Sequence, residues 1–307
     1  MGRGSDLRAI LDAGDTVVAP GVFDAIGAKL VQHLGFSAVY MGGWTTGTHL
    51  GVTEPLLTMT EQVEAARRAS DAVAIPMIVD ANAGFGEPMH TQRTVRVFEQ
   101  AGIAAIHIED QDHPKRAHYH KGVEDVTPRH AFLEKIETAV KARRDDDFFI
   151  IARTDAAKAR NGDVDEAIWR CNEALKRGAD AVMPLVTPAV PTLDSLKPEE
   201  DLDAVRAGLP DDCHVVVLSG YLPGQRELST SAYRDRGFDI VLYPIAPVLV
   251  SLGALDSLYR PLAENDCLPD GRIGFDAADI PSIQRLAEKL LGFDTLIALE
   301  EETVERQ

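Results

Sequence analysis

"MIVDANAGFGEP", Met77 to Pro88, starts as a buried strand and ends as a loop. Ile78 and Val79 carry a carboxylate, Asp80, to the C-terminal end of the run. Asn82 follows two residues later, and Gly84 and Gly86 loosen the backbone beyond it. An amphipathic run, "TQRTVRVFEQAG" (91–102), comes next and closes on Gly102, where a C-cap glycine belongs. The unit is strand, polar loop, helix. Taken alone, its loop is either a turn after a core strand or one edge of a metal site.

The same unit recurs along the chain. Short apolar runs stand at 16–20 (TVVAP), 38–42 (AVYMG), 76–80 (PMIVD), 104–109 (AAIHIE), 148–154 (FFIIART), 180–184 (DAVMP), 214–218 (HVVVL) and 240–244 (IVLYP). Each is apolar on both faces, as parallel strands covered by helices are. Amphipathic runs such as 59–70 and 164–178 lie between them. Eight such alternations predict an α/β fold, a (β/α)8 TIM-type barrel. An open doubly wound sheet is the alternative, but no GxGxxG follows the first strand. We expect the barrel to span 1–261 and a C-terminal connector and helix to span 262–307. That last helix, expected as one segment over 282–304, carries Leu286, Leu290, Leu291, Phe293, Leu296 and Ile297. Such a stripe packs either on a neighbouring subunit or on its own barrel.

Of the 307 residues 45% are hydrophobic, enough for one large barrel core or two average domains. The net charge of −18 repels phosphate backbones and anionic lipid, so neither nucleic acid nor membrane is an expected partner. Cys171, Cys213 and Cys267 are widely spaced and odd in number, which suggests neither a disulfide framework nor a zinc site. The opening "MGRGSDLRAILDAGD" lacks an apolar signal core, and no run approaches membrane-spanning length. A cytoplasmic protein is expected.

In a barrel of this kind the chemistry sits at the C-terminal ends of the strands. Strand two ends in Gly42, Gly43, Trp44, Thr45 and Thr46; strand three in Asp80 and Asn82; strand four in His107, Glu109 and Asp110; strand five in Arg153, Thr154 and Asp155. One acidic strand end is usually a cap or turn residue. Three neighbouring ones beside an arginine suggest a site. Oxygens from Asp80, Asn82 and Glu109 suit a hard divalent cation, Mg2+ or alternatively Mn2+. Arg153 offers a fork for a substrate carboxylate or oxyanion. Gly42 and Gly43 present backbone N–H groups to an anion, or form a turn needing positive φ. The loop after strand four gathers His113, Lys115, Arg116, His118, Tyr119, His120 and Lys121, a basic island suited to an anionic substrate and a closing lid, or else a solvated charged loop. A His-rich zinc site there is a weaker alternative, because no carboxylate or supporting partner is fixed by the spacing.

Taken in order, "APGVFDAIGAKL", "VYMGG", "VDANAGFG", "IHIEDQ", "PKR" and "IIARTDA" resemble the isocitrate lyase/phosphoenolpyruvate mutase superfamily. The branch they look most similar to holds methylisocitrate lyase, dimethylmalate lyase and oxaloacetate decarboxylase. The resemblance implies a barrel whose last helix is exchanged with a partner subunit, in dimers that pair into a homotetramer. It also implies Mg2+ and a small anionic 2-hydroxy or 2-oxo dicarboxylate, cleaved through a metal-stabilised enolate. Asp80 would be the direct metal ligand, with Asn82 and Glu109 as outer or water-mediated ones. Gly42, Gly43 and Trp44 would meet the substrate carboxylate, with Tyr40 and Ser219 in the pocket. Arg153 would bind an oxyanion or carboxylate, Glu54 would stand near the metal waters, and Lys115, Arg116, His118 and Tyr119 would belong to the gate.

Four positions depart from the family pattern. Asn82 replaces an aspartate and removes one negative charge. Ala117 replaces the cysteine that donates a proton in the family's lyases, so His118, Tyr119 or His120 would have to act instead. Leu185 stands where a glutamate is expected after strand six, and Ser219 where an asparagine is expected after strand seven. A carbon–carbon lyase or decarboxylase is the expected activity. Two alternatives stay open: a phosphonopyruvate-type P–C mutase or hydrolase, disfavoured by Arg116 where that branch carries asparagine, and a degenerate carboxylate-binding barrel without turnover.

Overall fold

A computed structural model describes residues 3–116, 125–186, 198–219, 228–266 and 279–303. Eight parallel strands are present: β1 (Val17–Pro20), β2 (Val39–Met41), β3 (Met77–Asp80), β4 (Ala105–Glu109), β5 (Phe149–Thr154), β6 (Ala181–Pro184), β7 (His214–Leu218) and β8 (Ile240–Tyr243). Every one falls within a sequence-predicted run, trimmed by at most one residue at either end. The strand order is β1-β8-β7-β6-β5-β4-β3-β2, and a parallel bridge from Gly21 to Tyr40 joins the two outer strands. The Val22 amide donates to the Tyr40 carbonyl at 2.8 Å across that seam. The sheet therefore closes into the expected barrel, leaving no open edge.

Side-chain alternation sorts each strand into two cores. Ala19, Tyr40, Ile78, Ala105, Phe149, Ile151, Met183, Val216 and Leu242 form an inner cluster. Leu7 and Leu11 of the helix Arg3–Asp12 join the same cluster. Val39, Met41, Val79, Ile106, Ile150, Val182 and Val217 belong instead to an outer cluster, which includes helix residues such as Phe98, Phe132, Ile136 and Cys171. Fully burying one such aliphatic or aromatic side chain stabilises by about 1.5–3 kcal/mol.

The same parity decides where the polar residues go. Asp80 is two residues beyond Ile78, His107 and Glu109 continue from Ala105, and Arg153 continues from Ile151. All four share the inward-facing positions at the carboxyl ends of β3, β4 and β5. Register places Asp80 opposite His107 and Glu109 opposite Arg153.

Helices begin where the sequence supplies caps. Thr58 and Glu61 form a reciprocal capping box at the helix Met59–Asp71, and Asp163 caps Val164–Lys176 through the Glu166 amide at 2.7 Å. Past Gln100 and Lys176 the chain passes through Gly102 (φ 75°) and Gly178 (φ 91°), as expected.

The C-terminal segment corrects one expectation. It is two helices, Ile280–Leu291 and Phe293–Thr303, because Gly292 between them takes a left-handed φ of 75°. The chain divides into two compact units, Met1–Pro247 and Val248–Gln307. The boundary expected at 261/262 falls inside the helix Ala246–Asn265, which continues past Pro261. In the second unit Ile280, Ile283, Leu291, Phe293, Leu296, Ile297 and Leu299 are exposed. Among the described residues no helix is long and apolar enough to cross a membrane.

Candidate active site

Asp80 sits at the last position of β3 with both oxygens engaged. Oδ1 accepts the Asn82 amide at 2.8 Å, and Oδ2 accepts the Gly43 amide at 3.1 Å. Gln62, fully buried on the helix Met59–Asp71, donates Nε2 to the Asp80 carbonyl at 3.1 Å and so holds the strand end. Burial would raise the Asp80 carboxyl, but His107 when protonated, Arg153, Lys115 and the Asn82 amide together hold it at about 2. It is therefore ionised at neutral pH.

Gly43 is the first residue of the helix Gly43–Leu50, capped by Gly42 at a φ of −89°. The positive-φ turn considered for this glycine pair does not occur. What Gly43 needs is space: a Cβ there would lie 3.1 Å from Glu54 Oε1 and 3.3 Å from both Asn82 Nδ2 and Asp80 Oδ2. Three polar side chains thus converge on a cradle that any larger residue would fill. Trp44 is half-buried in the first turn of the same helix, where backbone N–H groups lack intrahelical partners.

Glu109 is fully buried at the end of β4. Its Oε1 lies 2.9 Å from Lys115 Nζ and its Oε2 lies 3.0 Å from Arg153 Nη1. Neither contact has the alignment of a hydrogen bond, so both oxygens keep acceptor capacity. Burial raises the Glu109 carboxyl to about 7, against the pull of Lys115 and Arg153. Lys115 reaches in from the loop after β4 and places Nζ 2.6 Å from Glu54 Oε1.

Arg153 is aimed by Asp155, which accepts Nε at 2.9 Å and Nη2 at 3.0 Å in a two-point fork. Asp155 also accepts a short bond from Gln111 Nε2. Behind it Asp110 accepts Thr154 Oγ1 at 2.5 Å, the Asp155 amide at 2.9 Å and Arg170 Nη1 at 3.1 Å. Burial and then the charge of Asp155 raise the Asp110 carboxyl to about 6. Tyr40 Oη and His107 Nε2 are 2.8 Å apart, and His107 Nδ1 lies 3.6 Å from Asp80 Oδ1. Burial pushes His107 down to about 4 despite Asp80, so the ring is neutral at pH 7.

The donor set fits a hard divalent cation. Glu54, Asp80, Glu109 and Asp155 face Lys115 and Arg153, four carboxylates against two cations. Asn82 adds an amide whose Nδ2 is buried without an acceptor. Rotation of that amide presents its oxygen to the cradle. Among the described residues no three of these carboxylates are spaced to hold a metal ion by themselves, which suits magnesium, commonly held by one or two carboxylates and several waters.

The structure thus brings Tyr40, Gly42, Gly43, Glu54, Asp80, Asn82, Glu109, Lys115 and Arg153 to one end of the barrel. Two other candidates stand differently. Arg116 is exposed, and the buried Ser219 lies 3.4 Å from Tyr233 Oη, a side chain of the outer core. His118, Tyr119 and His120 lie outside the described residues. Gln62, Gln111 and Lys135 escaped the sequence reading. Gln62 and Lys135 had a signal: each is a polar residue within the buried stripe of an amphipathic helix.

Known proteins resemble this chain along most of its length. Residues 7–262 match the phosphoenolpyruvate phosphomutase family model. The chain is 35% identical over 270 residues to 2,3-dimethylmalate lyase of Eubacterium barkeri, covering 87% of this chain and 88% of that protein. Phosphoenolpyruvate phosphomutase from Streptomyces platensis subsp. rosaceus superposes with a TM-score of 0.83 at 28% identity, over 98% of this chain and 99% of that one. Phosphonopyruvate hydrolase, solved with oxalate and Mg2+, shares the fold with a TM-score of 0.80 at 24% identity, over 99% of this chain and 100% of that one. The acidic cradle at the ends of β2 to β5 is thus carried by a chain that belongs to the isocitrate lyase/phosphoenolpyruvate mutase superfamily.

Proposed function

We propose that this protein is a carbon–carbon lyase acting on a small 2-hydroxy or 2-oxo dicarboxylate, with Mg2+ held by Asp80 and, through outer contacts, Asn82 and Glu109. The observation that carries this reading is the convergence of Asp80, Asn82 and Glu54 on the Gly43 cradle, with Glu109 3.0 Å from an arginine already aimed by Asp155. When bound, the cation neutralises negative charge on the oxygens of a 2-oxo acid as the bond beside the carbonyl breaks. Arg153 Nη1, held at the edge of the cluster, stabilises the same developing oxyanion. With the Gly43 N–H given to Asp80, the Trp44 N–H in the first turn of the same helix orients the substrate carboxylate. Tyr40 and neutral His107 form a hydrogen-bonded pair beside Asp80, with Tyr40 Oη the dissociable proton on the inner face. Lys115, buried between Glu54 and Glu109, offsets part of the negative charge of the cradle.

Ala117 carries no exchangeable proton, and that favours loss of carbon dioxide over a lyase step needing a cysteine acid at the gate. We further propose that the C-terminal unit packs on a partner subunit, in swapped dimers forming a homotetramer; its exposed apolar residues support this. We place the protein in the cytoplasm, a reading supported by its unpaired Cys171 and Cys213.

The test is turnover of oxaloacetate, 2,3-dimethylmalate and 2-methylisocitrate by wild type and Asp80→Ala, with and without Mg2+. Product release that needs both Mg2+ and Asp80 is expected for at least one of them. Equal, background rates for wild type and Asp80→Ala on all three would overturn the lyase reading.

A further inference from the structure

Lys135 is a cation in the wrong place for a surface helix. It lies on Arg129–Ala142 among Phe132, Leu133, Ile136 and Ala139, all buried, and is itself only 4% exposed. Taking an ammonium out of water costs several kcal/mol unless its protons find acceptors. Nζ donates to the carbonyl of Ala83 at 3.1 Å, 52 positions back along the chain.

Ala83 is the centre of the loop that follows β3. Around it Asn82 (φ 51°), Gly84 (φ 76°), Phe85 (φ 54°) and Gly86 (φ 143°) all take positive φ. Such a path is open to glycine but costs on the order of 1–2 kcal/mol at a residue with a side chain. It persists only where surrounding bonds over-determine it. Here the Asn82 amide donates to Asp80 Oδ1 at 2.8 Å, and the Asn82 carbonyl accepts the Glu109 amide at 3.0 Å. The Ala81 carbonyl accepts the Gly84 amide at 3.0 Å, and the Gly84 carbonyl accepts Thr94 Oγ1 at 3.0 Å. Ala83 completes the series, and the donor at that position carries a full charge.

We propose that Lys135 is a positioning residue for the cation-binding end of the site: by anchoring the Ala83 peptide it fixes the left-handed loop and so sets Asn82 between Asp80 and Glu109. The proposal rests on the reading of that cluster as a divalent-cation site. Lys135 touches neither substrate nor cation and acts through the backbone of residues 82–84.

The experiment measures Mn2+ binding directly, by calorimetry and by the EPR signal of free Mn2+, on the full chain without substrate. Wild type, Lys135→Met, Lys135→Arg and a control, Ile136→Val, are compared together with their metal-free melting temperatures. Partners behind a metal ligand typically contribute 10–100-fold in affinity. Lys135→Met is therefore expected to raise the Mn2+ Kd at least about 10-fold. Lys135→Arg, which keeps a charged donor, should recover most of that loss. Ile136→Val should lower the melting temperature without moving Kd. An unchanged Kd in Lys135→Met, or a change matched by the control, overturns the proposal. If Lys135→Met does not fold, Lys135→Gln is read by the same criterion. Unfolding of all three Lys135 variants makes the lysine purely structural and overturns it too. A wild type that binds no Mn2+ defeats the cation reading itself, which separates the two failures.

Discussion

Lys115 Nζ and Glu54 Oε1 lie 2.6 Å apart, both buried, although 61 positions separate them in the chain. The ammonium also stands 2.9 Å from Glu109, so one gate-loop side chain neutralises two carboxylates of the cradle. Removing one member of a buried ion pair typically costs about 3–5 kcal/mol, because its partner is left uncompensated. We expect Lys115→Met to lower the melting temperature of the metal-free protein and Mg2+ to restore part of the loss. A melting temperature that falls equally with and without Mg2+ contradicts this. Turnover should drop about 100-fold or more, the scale of losing a preorganised charge at the reacting centre.

Asn82→Asp returns a carboxylate to the cradle. Cation affinity rises with ligand charge, so the Mn2+ Kd should fall about 10-fold. The same change brings a further negative charge beside Asp80 and Glu109, and the metal-free protein should melt earlier. Calorimetric titration checks the first and a thermal melt the second; a weaker Kd would show that the amide is the better ligand here.

Asp155 accepts both Nε and Nη2 of Arg153 and fixes the guanidinium in plane. Asp155→Ala should reduce kcat/KM about 10–100-fold, the usual effect of losing a partner that orients a functional group. The Mn2+ Kd should move much less, because Arg153 meets substrate rather than metal. A loss confined to metal affinity would refute the assignment.

Lys158 Nζ is buried without a hydrogen-bond partner, and burial lowers its pKa to about 7 despite the pull of Asp155. The folded state holds the proton less tightly than the unfolded chain, so folding is penalised as pH falls from the ordinary lysine range through about 7. Lys158→Met should therefore stabilise by up to about 4 kcal/mol at pH 7, several degrees in melting temperature. The gain should shrink as pH approaches 10. Thermal melts at the two values decide it, and a gain that does not shrink at the higher pH counts against a buried, neutral amine.

The full-length chain should show a mass above the monomer in light scattering at micromolar concentration, since Phe293, Leu296, Ile297 and Leu299 are exposed on one short helix. A monomer would refute the swapped assembly.

The eight strands were legible because their signals are local. A run such as Met77–Asp80 declares itself through consecutive apolar residues, and its parity already points Ile78 and Asp80 the same way. Asp80, Asn82, Glu109 and Arg153 could be picked out for the same reason: each lies at or just past a recognisable strand end. The break at Gly292 was missed because helical spacing continues on either side of it and only the φ reveals the turn.

The partners of those residues were not legible. Tyr40 meets His107 across 67 positions, Lys135 meets Ala83 across 52 and Gln111 meets Asp155 across 44. Such pairings depend on strand register and on closure between β1 and β2, which bring separate strand ends to one rim. The sequence by itself therefore determined the barrel and the identity of its chemical groups, because hydrophobic periodicity is a property of neighbours. The tertiary structure alone decided which group is buried, which is ionised and which is aimed, because burial and Coulomb attraction depend on distance in space rather than along the chain.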